Sequence, residues 1–231
     1  LSLSLAAATV SVAGCSGFPS GRSFFEGSLE STPFRQSRSG RIIGKPDYRA
    51  VYASYTSEAA PVEAFDYAKV DSSHLRQEVE YLGPEEPGTI VVDPAARHLY
   101  HVDATGRATR YGVGVGREGF GWSGNAKINM RRTWPDWVPP TEMVNRDPQI
   151  KAQLVSTTRG KGVPGGAKSP LGARALYLFA DGRDTGYRIH GTTEPETVGT
   201  EVSSGCIRMV NQDIIHLYQR APEGTKVIVV A

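Results

Sequence analysis

The sequence predicts a mainly β fold with one or two short helices. Short runs rich in Val, Ile, Tyr and Thr recur between turn-forming segments, as strands do. Gly and Pro are frequent, at 26 and 15 of 231 residues, which supplies the many turns such a fold needs. Helical signals, by contrast, are few.

The elements follow in order. Residues 89–93 (TIVVD) read as a strand, closed by a turn at Pro94-Ala95-Ala96. Residues 98–103 (HLYHVD) form its hairpin partner, and Ala104-Thr105-Gly106 turns the chain into a third strand at 108–115. Three strands joined by short turns make an antiparallel meander. Further strands are expected at 126–130, 175–179, 187–190 and 226–230. Residues 141–146 suit a short helical turn after Pro139-Pro140. Asn211 is placed to cap a helix running to about Arg220, with Ile214, Ile215 and Tyr218 on one face.

The chain divides into three parts. Residues 1–15 are an apolar run ending in Val12-Ala13-Gly14-Cys15, which looks like the core of a secretory signal. Its last four residues resemble the cleavage box of bacterial lipoproteins, whose cysteine carries a lipid. Residues 16–87 form a leader that starts rich in Ser, Gly and Arg and is expected to be partly disordered. Within it, residues 75–82 suit a short strand or helix. The turn at Glu85-Glu86-Pro87-Gly88 marks the start of the β domain, 88–231. A hydrophobic content of 39% and a charged content of 22% fit an ordinary folded domain. The net charge of +2, with no basic run interleaved with aromatics, argues against nucleic acid as a partner.

The chemistry gathers at one place. Ile189-His190-Gly191-Thr192 ends a strand, and Ser203-Ser204-Gly205-Cys206-Ile207-Arg208-Met209 follows across one short loop. Once Cys15 is assigned to the lipid, Cys206 is the one cysteine left, and a lone thiol in an oxidising compartment is a liability unless its reactivity is used. A thiolate is the nucleophilic form, and an imidazole can generate it. Gly205 allows a sharp turn and close approach of substrate to the backbone N–H groups, a candidate oxyanion hole. Arg208 can grip a substrate carboxylate with two prongs; on residue type alone it serves an ordinary salt bridge equally well. The bland alternatives are a buried inert cysteine and a satisfied histidine, and the pairing of the two weighs against both.

Metal chemistry has little support. His98 and His101 lie on opposite sides of one strand and cannot chelate together. There is no cysteine pair at zinc spacing. His74 and His216 read as surface histidines. Trp122, Trp134 and Trp137 suit either an aromatic wall over a groove or core packing at a sheet corner, with core packing favoured for Trp134 and Trp137.

These residues carry a resemblance. His190-Gly191-Thr192 followed by Ser203 to Met209 resembles the catalytic signature of bacterial L,D-transpeptidases of the YkuD type. Upstream, Val115-Gly116-Arg117, Trp122-Ser123-Gly124, residues 134–140, Gly165-Gly166 and residues 170–178 resemble that family as well. The one departure is Ser204, where many members have His. The resemblance implies an antiparallel sandwich or barrel-like catalytic domain that uses neither metal nor cofactor. It implies Cys206 as nucleophile, His190 as proton donor and acceptor, and the Gly191 carbonyl orienting the imidazole. Ser203, Ser204, Gly205 and Arg208 would line the substrate and oxyanion sites.

The implied substrate is a peptidoglycan tetrapeptide stem that loses D-Ala. The acceptor would be a neighbouring stem amine, giving a 3→3 cross-link, or a lysine of an outer-membrane lipoprotein. Water as acceptor would make the protein a murein hydrolase or carboxypeptidase, and a non-catalytic cell-wall binding module is the remaining alternative. The expected location is the periplasm or cell envelope, anchored through a lipid on Cys15.

Overall fold

A computed structural model describes residues 38–116, 122–201 and 206–230. The elements run β1 (Ser39–Gly44), α1 (Tyr48–Val51), β2 (Gln77–Tyr81), β3 (Ile90–Asp93), β4 (His98–Ala104), β5 (Arg107–Gly112), β6 (Gly114–Val115) and β7 (Gly124–Thr133). They continue with α2 (Thr141–Arg146), α3 (Pro148–Gln153), β8 (Val155–Thr157), β9 (Gly160–Gly162), β10 (Arg174–Ala180), β11 (Arg183–His190), β12 (Ile207–Arg208), α4 (Asn211–Arg220) and β13 (Lys226–Val229). The fold is mainly β, as expected, and α4 is its one helix longer than two turns among the described residues.

Eleven strands form one sheet in the order β1-β2-β5-β4-β3-β13-β7-β10-β11-β12-β6, while β8 and β9 pair as a separate hairpin. The meander appears as expected in β3, β4 and β5, antiparallel and in sequence. The sheet is nonetheless mixed. β13 pairs parallel with β3, and β11 pairs parallel with β12. Parallel neighbours need long crossover connections, so no local turn motif announces them in the sequence.

The strand expected at 108–115 is the hinge of the architecture. Its first part, β5, pairs with β4, and its last part, β6, pairs with β12 at the far end of the strand order. Val113 joins the two, and its own N–H reaches the Arg97 carbonyl at 2.9 Å. One strand that serves both halves of a sheet folds those halves over a common core. That core takes Leu99 and Tyr111 from one half, Leu176, Ile189 and Ile207 from the other, and Ile214 and Leu217 from α4. On the opposite face of the first half, Val79, Tyr81, Val91, Tyr100, Val102 and Ala108 form a second cluster.

The segment before residue 88 contributes to the same sheet. The piece expected as strand or helix is β2, antiparallel to β5, and β1 adds an edge strand beyond it. Tyr52, Phe65 and Leu75 pack with Val198 and Val210 in a third cluster. The turn at 85–88 is therefore not a boundary in the sheet, because strands on both of its sides share one ladder of hydrogen bonds. Burial explains this. Val79 and Tyr81 alternate inward from β2 against Val102 and Tyr100, and a five-residue strand carries too short a period to reveal its partner in advance.

A buried polar network fastens this segment to α4. The Tyr52 hydroxyl donates to Asp213 at 3.1 Å and accepts from the Arg76 N–H at 2.8 Å, while the Arg76 guanidinium lies 3.5 Å from Asp213. Gln212 donates to the Glu63 carbonyl at 2.8 Å. Burial dominates the ionisation of Asp213 and lifts its carboxyl to about 6, against the pull of Arg76 and the Tyr52 hydrogen bond. A folded value above the unfolded value of about 3.9 means that folding favours the protonated acid, so this group's contribution declines as pH rises through the window. The stability of Asp213→Asn relative to the wild type is expected to climb between about pH 4 and 6 in denaturant titrations. A flat difference across that range would contradict the assignment.

Candidate active site

The site is set by the pairing of β11 with β12. Ile189 lies beside Ile207 and His190 beside Arg208, and the Met209 N–H donates to the His190 carbonyl at 2.8 Å. Ile189 and Ile207 both point into the main core. Side chains alternate across a sheet, so Arg188, His190 and Arg208 project from the other face. Cys206 immediately precedes β12, and its thiol sulfur accepts a hydrogen bond from the Arg188 backbone N–H. The thiol is thus held against the strand that carries His190, at the backbone of the residue two before it. On β10, Tyr177 pairs with Arg188 and Ala175 with His190, and on β6 Gly114 pairs with Arg208. Small residues at Ala175 and Gly114 leave the row of His190 and Arg208 uncrowded.

His190 is buried, and its Nδ1 lies 2.5 Å from the Gly191 carbonyl. A carbonyl only accepts, so Nδ1 carries the proton and Nε2 presents its lone pair. Burial, reinforced by Arg208 and Arg188, holds the imidazole down to about 4 despite the Gly191 hydrogen bond. Burial also pushes the Cys206 thiol up from its ordinary value, while Arg188 and Arg208 oppose it. At neutral pH the resting pair is a neutral thiol and a neutral imidazole. Proton transfer from sulfur to Nε2 is then coupled to the arrival of an electrophile and does not precede it.

Each arginine at the site is held by an acid. Arg188 grips Asp184 at 2.7 Å through both terminal nitrogens, and Arg208 reaches Glu194 at 2.9 Å. Ser203, Ser204 and Gly205 lie outside the described residues, as does Cys15. Among the described residues, no group of three or more His, Cys, Asp or Glu is arranged to hold a metal ion.

A family model described as the L,D-transpeptidase catalytic domain matches residues 87–229. The chain belongs to this family. YqjB of Bacillus subtilis, named among the L,D-transpeptidases, is 48% identical over 73 residues, covering 31% of this chain and 42% of YqjB. YcfS of Escherichia coli K12, named likewise, is 30% identical over 169 residues, covering 71% of this chain and 51% of YcfS. The chain therefore spans about half or less of the length of these relatives. A crystal structure of a Brucella melitensis protein, described as a carnitine operon oxidoreductase, shares 42% identity with a TM-score of 0.47, covering 71% of this chain and 99% of that one.

In this L,D-transpeptidase domain, Asn211 has a role that sequence reasoning missed. It does not cap α4: the cap position is Val210, without a side-chain cap bond. Its side chain instead joins two loops, accepting from the Ala173 N–H and donating to the Thr192 carbonyl, each at 2.9 Å. A Cβ on Gly191 or on Gly172, which sits at a φ of +60°, would collide with the Asn211 amide oxygen. The glycine after the histidine thus makes room for the clamp that holds the loop orienting the histidine. A polar residue one position inside a helix start looks the same in sequence whether it caps or clamps.

Other expectations resolve as follows. His216 is partly buried, with its Nδ1 2.7 Å from the Tyr111 hydroxyl, and burial takes it to about 4; it is not a surface histidine. His74 is also partly buried, packed against the His98 ring at 5.3 Å. Trp122 stacks on Tyr187 against the main core, and Trp134 packs beside Val62, Ala173 and Ile215 while donating to Glu58 at 3.2 Å.

Two measurements check this geometry. The rate of Cys206 alkylation by iodoacetamide should rise with pH through and beyond the ordinary thiol range of about 8.5, because burial disfavours the thiolate; a plateau already reached near pH 6 would mean a preformed ion pair. Asn211→Ala should cost about 1–3 kcal/mol in unfolding experiments through the two lost hydrogen bonds. By admitting water it should also move the His190 titration, followed by NMR, upward from about 4. An unchanged titration would show that the clamp does not hold the histidine loop.

Proposed function

We propose that the protein is a peptidoglycan L,D-transpeptidase with Cys206 as nucleophile. His190 Nε2 takes the Cys206 proton as the sulfur attacks the carbonyl at the L-centre of the diamino acid in a tetrapeptide stem. The bond to the terminal D-Ala breaks, the D-Ala amine leaves with the proton held by His190, and a thioester remains. An acceptor amine then attacks the thioester, giving up a proton to His190, and the regenerated thiolate recovers it. The amine belongs to a neighbouring stem, for a 3→3 cross-link, or to a lysine of an outer-membrane lipoprotein. Arg208 receives a substrate carboxylate in exchange for Glu194, and backbone donors around Gly205 and Cys206 stabilise the oxyanion, an arrangement worth roughly 3–4 kcal/mol per donor.

The observation that supports this reading is the Cys206 thiol held at the backbone of the strand that carries His190, with the imidazole held as the Nδ1–H tautomer. Family membership supports the reaction class. Export to the periplasm or envelope, and anchoring through a lipid on Cys15, are part of the same proposal and rest on residues 1–15.

The test is mass spectrometry of disaccharide-tetrapeptide fragments incubated with the protein, beside Cys206→Ala. A new 3→3 dimer with loss of D-Ala, absent from the variant, is the expected result. Cys206-dependent cleavage without dimer would reassign the protein as a hydrolase or an enzyme awaiting a protein acceptor. No Cys206-dependent product would leave a binding module.

A further inference from the structure

A cavity of about 340 Å³ opens between β1, α1 and β2 on one side and the end of α4 on the other, and no residue of the candidate active site lines it. Pockets that take small molecules begin at about 300 Å³. Its wall is cationic. Lys45, Arg76 and Arg220 line it, and Glu78 is the one carboxylate in the wall among the described residues. Glu78 is exposed and already engaged, 2.9 Å from Arg107.

Arg76 is the residue that points to a ligand. Its side chain is only 10% exposed. Asp213 lies 3.5 Å from Nε, the inner nitrogen of the guanidinium, and among the described residues neither terminal nitrogen has a hydrogen-bond partner. Those two nitrogens are not sealed in protein, so the cavity has to supply their acceptors. A further donor comes from His216. The Tyr111 hydroxyl is buried and lies 2.7 Å from His216 Nδ1, its one hydrogen-bond partner among the described residues. The hydroxyl therefore donates to Nδ1, and Nε2 carries the imidazole proton. Arg220 follows four residues later, on the same face of α4. It is paired with Asp103, which also accepts from His101 and Thr109, each at 2.7 Å, so Arg220 is neutralised only in part.

Donors thus converge on the cavity from three places: the turn after β1, the start of β2 and the end of α4. A carboxylate is planar, and a single guanidinium fork satisfies it. A phosphate has three acceptor oxygens and nearly two negative charges, which suits donors arriving from separate directions. Pro46 and Val51 give the wall an apolar flank for the organic part of an ester. We propose that this cavity binds a phosphate monoester, held by Arg76 together with Lys45, Arg220 and His216. A ligand seated there joins the segment before residue 88 to α4. The site is independent of the acyl-transfer reading and needs neither His190 nor Cys206.

Calorimetric titration with inorganic phosphate and with glycerol phosphate tests it, on the full chain and on Lys45→Gln, Arg220→Gln and Arg183→Gln. All three side chains are exposed, so each variant should keep the wild-type circular dichroism spectrum. The wild type should bind one phosphate with a Kd of roughly 1 mM or below, and the ester more tightly. Lys45→Gln and Arg220→Gln should each weaken binding roughly 5-fold. Arg183→Gln, which removes a cation outside the cavity, should bind as the wild type does. Phosphate should also move the His216 titration, followed by NMR, upward from about 4, since a bound anion favours the imidazolium. Equal affinity in all four proteins, or a His216 titration that phosphate leaves unmoved, would overturn the site. Vesicles containing phosphatidic acid separate the two sources of the ester. Co-sedimentation that needs Lys45 and Arg220 but not Arg183 would assign a lipid headgroup, and calorimetric binding without co-sedimentation would assign a soluble ester.

Discussion

The site depends on the burial of two isoleucines. Ile189 and Ile207 are neighbours on parallel strands, and both are enclosed by the main core. Withdrawing two such side chains from water is worth several kcal/mol, on the scale of about 1.5–3 kcal/mol each. That energy fixes the register, and a slip by one residue would turn both outward. The same register places His190 on the opposite face and Cys206 directly before the pairing begins. The geometry of the candidate pair is therefore enforced by apolar packing behind the sheet, and the polar groups themselves supply none of the energy. This separation lets His190 and Cys206 be chosen for chemistry alone.

The support behind that register reaches well beyond the two strands. α4 closes the core with Ile214 and Leu217, and its first residue, Asn211, ties the loop after His190 to the strand start at Ala173. α4 is in turn held through its Asp213 by Tyr52 and Arg76, and Glu58 bridges Arg174 at 2.7 Å and Trp134. Tyr52, Arg76 and Glu58 all precede residue 88. The early segment thus acts as a buttress whose buried charges are satisfied only with the β domain in place. Removing one member of such a network leaves another buried and unpaired, which costs more than the contact itself contributes.

The parts of this arrangement differ in how far the sequence reveals them. Strands such as 98–103 and 175–179 were legible because alternation and flanking turns are local properties. His190 and Cys206 stood out as candidates because the histidine, the glycines and the arginine occur together within one short stretch. The parallel pairing of β11 with β12 was not, since the loop between them carries no turn signature and β12 has only two residues. Nor was the place of β1 and β2 in the sheet, because the partner that buries Val79 lies on β4 and β5, across an intervening turn. Asn211 was seen but misassigned. Its amide has equal capacity to cap a helix or to bridge loops, and only the approach of Gly191 and Gly172 decides between them.

The electrostatics of the site follow from the same burial. A thiolate at Cys206 would gain from Arg188 and Arg208, yet burial outweighs them and the thiol stays protonated at rest. The two arginines are also partly spent, one on Asp184 and the other on Glu194. A substrate carboxylate that displaces Glu194 does more than anchor itself. It excludes water around the sulfur and around Nε2, and in a drier site the fixed charges and N–H dipoles act more strongly on the developing oxyanion. On the proposed mechanism, binding and activation are one event: the thiolate forms where and when a carbonyl is present to receive it. A lone cysteine kept neutral in this way is also protected from adventitious oxidation, which attacks the thiolate first. On the proposed mechanism, the neutral resting pair serves both the selectivity of the reaction and the survival of the thiol between turnovers.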